Sequence, residues 1–351
     1  MNNSELLRSL IQKTKFERNE WVSYMKPKLE DVAKLAGVSK TTASRVLNNR
    51  GYLSKNTQKK VYDAMEVLNY QPNAAARQLF KQKTGLIGLI FPTVSNPFFG
   101  ELVDFLECEL YQRHFKVIIG NSLQDVKKET DYLNQLLAGQ VDGLIVGTHN
   151  QGIAEYKYSH LPVVAIDRVM NTDIPIIESD NYNGGVLATE RLINSGVTRI
   201  IHTNGPTALE TPANRRRVAY EKVMVEHDLE PHTFTVDFRL SFEEKRQRYQ
   251  QLFDIYPDVE ALFVSNDVDA IIIMKIANEC GRNVPDDLLI VGYDGTELMR
   301  NIMPELTTIV QPVEEMAKMA VDVLLKRIAG KETQTEYILP VTLWDGETGI
   351  R

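Results

Sequence analysis

The stretch Leu29 to Asn48, LEDVAKLAGVSKTTASRVLN, restricts the fold more than any other part of the chain. Leu29, Val32, Ala33 and Leu35 recur at helical spacing, Gly37 supplies the permissive backbone of a sharp turn, and Ser39 stands where an N-cap opens a second helix. Two short helices joined by a tight turn predict a helix-turn-helix. Ala43, Val46 and Leu47 are expected to face inward. That leaves Lys40, Thr41, Ser44 and Arg45 on the outer face, polar or cationic side chains able to hydrogen-bond base edges or phosphates in a major groove.

A net charge of -7 argues against a polyanion partner until it is divided along the chain. Residues 26 to 84 carry twelve Lys and Arg against four Asp and Glu, residues 1 to 25 are close to neutral, and the remainder is strongly acidic. A basic front on an acidic body suits a protein whose one end meets nucleic acid. The 351 residues suffice for two or three domains, with 43% hydrophobic and 25% charged residues, as in ordinary soluble proteins. Cys108 and Cys280 lie in apolar helical patterns with no metal-ligand spacing, which predicts two buried free thiols and neither a disulfide framework nor a metal site. The N-terminus lacks the apolar centre of a signal peptide and no run of about eighteen apolar residues occurs, so a cytoplasmic protein without a membrane partner is expected.

Residues 1 to 25 form either a mobile arm or an extension ahead of a start at Met25. Residues 26 to 70 make the helix-turn-helix domain, in which Gly51 and Tyr52 form a loop, Ser54 caps, and Val61, Ala64, Met65 and Leu68 give a third helix. Residues 71 to 84 are a linker whose segment Ala74 to Phe80 has good helix formers but is too short to be stable alone. Residues 85 to 351 alternate apolar strands with amphipathic helices, the signature of a doubly wound α/β architecture. The strands read LIGLIF, KVIIG, GLIVG, PVVAID, RIIHT, ALFVSN and LLIVGYD. Polar residues come after each, among them Asn96, Thr148, His149, Asp167, Arg168, Asn204, Asn266, Asp267 and Asp294. Ligands of open α/β sheets sit beyond the carboxyl ends of strands, so this placement predicts a polar cleft, with two lobes around it at this length.

The ordered series DVAKLAGVSKTTASRVLN, LNYQPNAAARQL, IGLIFPTVSNPFF, VDGLIV, VVAIDR, FVSND, LLIVGYDGT and LTTIVQP resembles the lactose and galactose repressor family of bacterial transcription factors across residues 26 to 351. The resemblance implies an all-α three-helix head plus linker helix, joined to a two-lobed, periplasmic-binding-protein-like α/β body of doubly wound parallel sheets. It implies a homodimer reading a pseudo-palindromic operator, with a sugar or sugar phosphate as effector and no cofactor. Lys40 and Thr41 fall where the family reads bases, with Arg45 one turn later; Ser39, Thr42, Ser44, Asn48 and Tyr52 fall at phosphate-contact positions, and Asn73 joins the DNA-binding set. Leu79 matches the leucine that paired linker helices push into the minor groove. For the effector, the carboxylates of Asp167, Asp267 and Asp294, the Asn96 and Asn266 amides and the Arg168 guanidinium suit sugar hydroxyls. Arg216 matches the family's sugar-contacting arginine, and Phe98, Phe99 and Phe238 either stack on a sugar ring or pack in the core. Asp167 either binds sugar or orients Arg168.

Paired carboxylates also suit glycoside hydrolysis, but a DNA-binding head on a hydrolase has no purpose, and the expectation is a regulator without enzymatic activity. The run IFPTVSNPFFGELVDFLECELYQRHFKVIIGNS, with YILPVTLWDGET, resembles repressors of sucrose operons more than regulators of ribose or maltose genes. Sucrose, its phosphorylated form or fructose is then the implied effector, with ribose the alternative. Arg168, Arg216 and His149 are candidates for holding a phosphate. The chain ends at LWDGETGIR without a leucine heptad, which predicts a dimer rather than a tetramer. Nothing in the sequence names a phosphocarrier protein as co-regulator.

Overall fold

Ser39 and Ser54 decide where two helices of the head begin. In the computed structural model, which describes residues 27–48, 50–71, 83–123, 125–148, 150, 152–158, 161–168, 173–207 and 211–351, each hydroxyl oxygen accepts from the backbone N–H three residues on, at 3.0 Å from Thr42 and 3.1 Å from Thr57. The helices are α1 (Leu29–Ala36), α2 (Lys40–Leu47) and α3 (Lys55–Val67). Gly37 ends α1 with φ +66°, a left-handed conformation that costs a side-chain-bearing residue. Val32, Ala33, Ala36, Ala43, Val46, Val61 and Ala64 form the head's core, while Leu35 is half exposed because it points away from both partner helices. The linker helix, the N-terminal segment, Asn73, Leu79 and His149 lie outside the described residues.

The chain divides into two units between residues 82 and 83. The second opens with the Asp142 carboxylate accepting from the Thr84 and Gly85 amides at 2.7 and 2.8 Å, which fixes the entry to the first strand. Its strands are β1 (Leu86–Phe91), β2 (Lys116–Asn121), β3 (Gly143–Val146), β4 (Val163–Ile166), β5 (Ile176–Ser179), β6 (Ile200–Asn204), β7 (His232–Thr235), β8 (Ala261–Phe263), β9 (Leu289–Asp294), β10 (Thr307–Val310), β11 (Glu336–Leu339) and β12 (Thr342–Trp344). They form two six-stranded sheets among the described residues, ordered β11-β5-β4-β3-β1-β2 and β12-β10-β9-β8-β6-β7. Pairing is parallel except between β10 and β12. Central strands such as LIGLIF are buried on both faces, which is why they read as unbroken apolar runs.

The helices of this unit are α4 (Pro97–Gln112), α5 (Val126–Leu137), α6 (Asn181–Ile193), α7 (Asn214–Glu226), α8 (Phe242–Ile255), α9 (Asp267–Glu279), α10 (Glu297–Ile302) and α11 (Val313–Ile328). Helix α11 follows β10 of the second sheet yet buries Met316, Ala320 and Leu324 on the first, with α4 beside it. The chain therefore passes between the lobes at Asp180, at Gln311–Pro312 and at Pro340–Val341, and each lobe has its own apolar core. The expected burial of the thiols does not hold: Cys108 and Cys280 are both exposed. Leu102, Leu106 and Leu110 define the inward stripe of α4, which Cys108 misses, and Cys280 follows the last turn of α9 as its C-cap.

Candidate ligand cleft and nucleic-acid interface

Every parallel strand ends by delivering side chains to the same edge of its sheet, and here the two such edges face each other. From the first lobe come Asn96, Phe98 and Phe99 at the start of α4, and Asp167 just after β4. From the second come Asn204 at the end of β6, Asn214 and Arg216 in α7, Phe238 after β7, Ser265 and Asn266 after β8, and Asp294 at the end of β9. Gln311, on a segment crossing between lobes, closes the floor. They enclose a cavity of about 180 Å³. It continues into a mouth of about 670 Å³ edged by Thr93, Leu123, Arg239 and Val268. Phe99 packs its ring 5.5 Å from Phe91 and edge-on to Phe98 at 5.3 Å, so one aromatic wall is fixed before any ligand arrives.

Arg216 is held from four sides. Its Nε donates to Asn181 Oδ1 at 2.6 Å, its Nη1 to the Ser265 carbonyl at 3.0 Å, and the guanidinium lies 3.4 Å from the centre of the Tyr293 ring. The fourth constraint is the close approach of α6 and α7: a Cβ on Gly185 would sit 2.6 Å from the Arg216 carbonyl oxygen. Asn181 also donates to Asp167 Oδ1 at 3.1 Å, which joins the carboxylate of one lobe to the guanidinium of the other. Gln311 Nε2 donates to Asp294 Oδ1 at 2.8 Å while its carbonyl accepts from Ser179 Oγ at 2.7 Å. Burial, followed by repulsion from Asp267, pushes the Asp294 carboxyl well above the usual carboxylate range.

Two of the residues expected in the cleft are not at its surface. Arg168, 6% exposed, turns into the first lobe, where it pairs with the fully buried Glu129, donates to Thr148 Oγ1 at 2.8 Å and reaches the Asn150 carbonyl. Glu129 also accepts from Thr148, from Asn150 Nδ2 at 2.8 Å and from Tyr156 at 2.6 Å. Asp167 does not orient Arg168; it faces the cleft. Asp267 sits behind Asp294, accepting from Gly295 N at 2.7 Å and Thr308 Oγ1 at 2.5 Å, and burial raises its pKa to about 7. Sequence reasoning passed over Lys245, Asp269 and Gln311, which line the cleft. Asp269 accepts from Lys245 Nζ at 2.9 Å, Tyr249 at 2.8 Å and Asn266 Nδ2 at 2.9 Å. Gln311 follows β10, a strand the sequence pattern did not mark, and Lys245 and Asp269 lie inside α8 and α9, so none of the three carried the strand-end signal.

In the head, Lys40, Thr41, Arg45 and Asn48 are exposed along one side of α2, and Tyr52 is 97% exposed beyond it. Ser44 and Thr42 are half-buried, and Ser39 is engaged as the cap. Lys40 pairs with Glu30 of α1, whose carboxyl that hydrogen bond holds below its usual range. Such an exposed pair is weak and exchangeable for a phosphate or a base edge. Arg45 Nε donates to the Arg50 carbonyl at 3.3 Å, and Asn48 Nδ2 to the Ser44 carbonyl at 2.8 Å. Among the described residues no helix is long and apolar enough to cross a membrane, and no group of three or more His, Cys, Asp or Glu is placed to hold a metal ion.

Residues 28–73 match the model of bacterial regulatory proteins of the lacI family, and residues 189–348 that of a periplasmic binding protein-like domain. The sucrose operon repressor of Pediococcus pentosaceus is 45% identical over 92% of this chain and 100% of its own length. That of Streptococcus mutans is 43% identical over the same shares. The crystal structure of the lac repressor dimer bound to operator and the anti-inducer ONPF superposes with a TM-score of 0.81 at 29% identity, covering 93% of this chain and 99% of that one. With relatives this similar along their whole length, and with the head and two-lobed body in the same order, the chain belongs to the lacI family of bacterial regulatory proteins.

Proposed function

We propose that this repressor acts as a dimer on genes of sucrose uptake and breakdown and leaves its operator when a sugar fills the cleft. The observation that carries the reading is the cleft itself, where carboxylates and amides from both lobes face one another beside a fixed aromatic wall. Asp167 and Asp294 accept from sugar hydroxyls, Arg216 and the amides of Asn96 and Asn266 donate to their oxygens, and Phe98, Phe99 or Phe238 covers an apolar ring face. A ligand bonded to both lobes favours the arrangement that brings them together. In the dimer this separates the two linkers at residues 71 to 84, and the heads lose the spacing of the half-sites. A coupling of about 1 to 3 kcal/mol per site changes operator affinity roughly 5- to 150-fold, and two sites add. Lys40 and Thr41 read bases, Arg45 stands one turn further on, and Ser39, Thr42, Ser44, Asn48 and Tyr52 hold phosphates.

The test uses an operator selected by the protein from random-sequence duplexes. Its binding is followed by fluorescence anisotropy as sucrose is added, and the sugar is recovered afterwards. Release of the operator with sucrose intact is expected, and Asp294→Ala should keep operator affinity while losing release. Operator affinity indifferent to sucrose, or consumption of the sugar, defeats the proposal.

A further inference from the structure

The charged groups of the cleft are matched to one another before any ligand binds. Lys245 Nζ lies 2.9 and 3.2 Å from the two oxygens of Asp269. Arg239 at the mouth is paired with both oxygens of Asp237, its Nε at 3.0 Å from each. Arg216 is bonded to Asn181 and the Ser265 carbonyl and stacks on the Tyr293 ring. Arg168, which a phosphate-binding role would need in the cleft, is committed to Glu129 inside the first lobe. Arg215 and Arg217, the neighbours of Arg216, are taken by Glu178 and Glu221. Among the described residues, three cations on the cleft and its mouth thus stand against the carboxylates of Asp167, Asp237 and Asp269.

Helix N-termini are the other device that holds anions, and those of α4, α7 and α9 meet at the cleft. Each is closed. In α4 the Asn96 side chain takes the Phe98 and Phe99 amides at 2.9 and 3.4 Å. In α9 the Asn266 side chain takes the Asp269 amide at 2.9 Å, and the first turn holds two aspartates. In α7 the amides of Asn214, Arg215 and Arg216 donate to the carbonyls of Thr211, Pro212 and Ala213 at 3.0, 2.9 and 3.0 Å.

We infer that the effector is an uncharged polyhydroxyl compound and that the cleft discriminates against its phosphate esters. The inference rests on the proposal that this cleft is the effector site. A phosphate ester brings about two negative charges at neutral pH among carboxylates whose cationic partners are already engaged. Either a pair must break or the phosphate goes unpaired in a confined space, whereas hydroxyls find acceptors in Asp167 and Asp294 and donors in Arg216 and the amides.

Calorimetric titration of the full chain with matched pairs tests this: sucrose, fructose, glucose and ribose, each beside its phosphate monoester. A neutral member should bind, and its ester on the order of 100-fold more weakly, as like-charge juxtaposition requires. Asp237→Asn, which frees Arg239 at the mouth, should tighten the ester about tenfold and leave the neutral sugar unchanged. An ester that binds as tightly as its parent or more so overturns the inference, even if operator release then upholds the repressor reading. No gain from Asp237→Asn overturns it as well, since charge pairing would not be what excludes the phosphate. Binding of ribose and not sucrose refutes the sucrose assignment while supporting the inference, and a panel in which nothing binds refutes both.

Discussion

Replacing Arg168 separates two roles that one side chain was able to have. In Arg168→Ala the Glu129 carboxylate, fully buried, loses the guanidinium that balances its charge. Breaking a buried ion pair costs about 3 to 5 kcal/mol, because the remaining charge stays out of water without compensation. Three donors remain on Glu129, from Thr148, Asn150 and Tyr156, which places the loss near the lower end, about 3 kcal/mol. Spread over residues 83–351, an unfolding entropy of about 2.1 cal/mol/K per residue converts this into a fall of roughly 5 °C in Tm. Scanning calorimetry of the full chain measures it. Sugar affinity should stay within about threefold of wild type, since a residue away from the ligand acts mainly through stability. Arg216→Ala, by contrast, should abolish sugar binding. Arg168→Met combined with Glu129→Gln removes both charges and should recover more than half of the stability lost. A variant Arg168→Ala with unchanged Tm and sugar affinity reduced tenfold or more would refute the reasoning and return Arg168 to the ligand.

Asp267 has a folded-state pKa raised to about 7 from 3.8, chiefly by burial, so the stability tied to its neutral form is complete below about pH 4 and lost as pH rises through 7. The Tm of the body should therefore be higher at pH 5 than at pH 8, and Asp267→Asn should flatten that slope; an unaltered slope would remove Asp267 as its source. Gly37→Ala meets no atom within 4 Å, so its cost is the left-handed backbone alone, about 1 kcal/mol. Amide exchange of α1 to α3 should quicken about fivefold, and an unchanged rate contradicts the assignment of that turn. Leu79→Ala, at a position outside the described residues, should weaken operator binding about tenfold while leaving sugar affinity intact. Equal operator affinity in gel shift would sink the wedge.

The sequence was most legible where one physical rule dominates. Serine caps, the turn glycine and the inward Ala43 and Val46 of α2 lie in a head small enough that local rules decide most of it, although Leu47, expected to face inward with them, is only partly buried and outside the core. In the body, strands such as β1, β3, β4, β8 and β9 stood out as apolar runs, whereas β5, β7, β10, β11 and β12, each with polar residues mixed among the apolar ones, did not. Pairing with neighbours distant in sequence makes those strands: β11 joins β5 across more than 150 residues of chain. The cleft residues are legible from their places just beyond the strand ends, and that rule cannot choose between adjacent residues. Asp167 faces the cleft and Arg168 the lobe interior; Asn266 faces the cleft and Asp267 the space behind it. Each pair sits where the chain leaves its strand, Asp167 with φ +47° and Asp267 as the first residue of α9, so the backbone turns between neighbours and a polar pair at a strand end divides between ligand-facing and scaffold sides. Only the position of Glu129, supplied by α5, reveals which member has a partner inside.

The same division explains how occupancy of the cleft can be felt at the connections between lobes. Asp294 is held by Gln311, and Gln311 accepts from Ser179, so one cleft carboxylate is bonded through a single side chain to two of the three segments that cross between lobes. The third is tied in as well, since the Asp180 amide donates to the Leu339 carbonyl at 2.7 Å. Asp294 itself has φ +109°, a conformation rarely adopted by side-chain-bearing residues, which the surrounding bonds must maintain. A hydroxyl that donates to Asp294 competes with the Gln311 amide for the same carboxylate. Any ligand that wins this competition alters the balance of forces on Gln311, which lies on a crossing segment, and through it on Ser179. If Asp294 is a ligand-contacting residue, as proposed, the carboxyl that meets the ligand is also the one bonded to the crossing segments, while the Arg168–Glu129 pair ties together the interior of the first lobe.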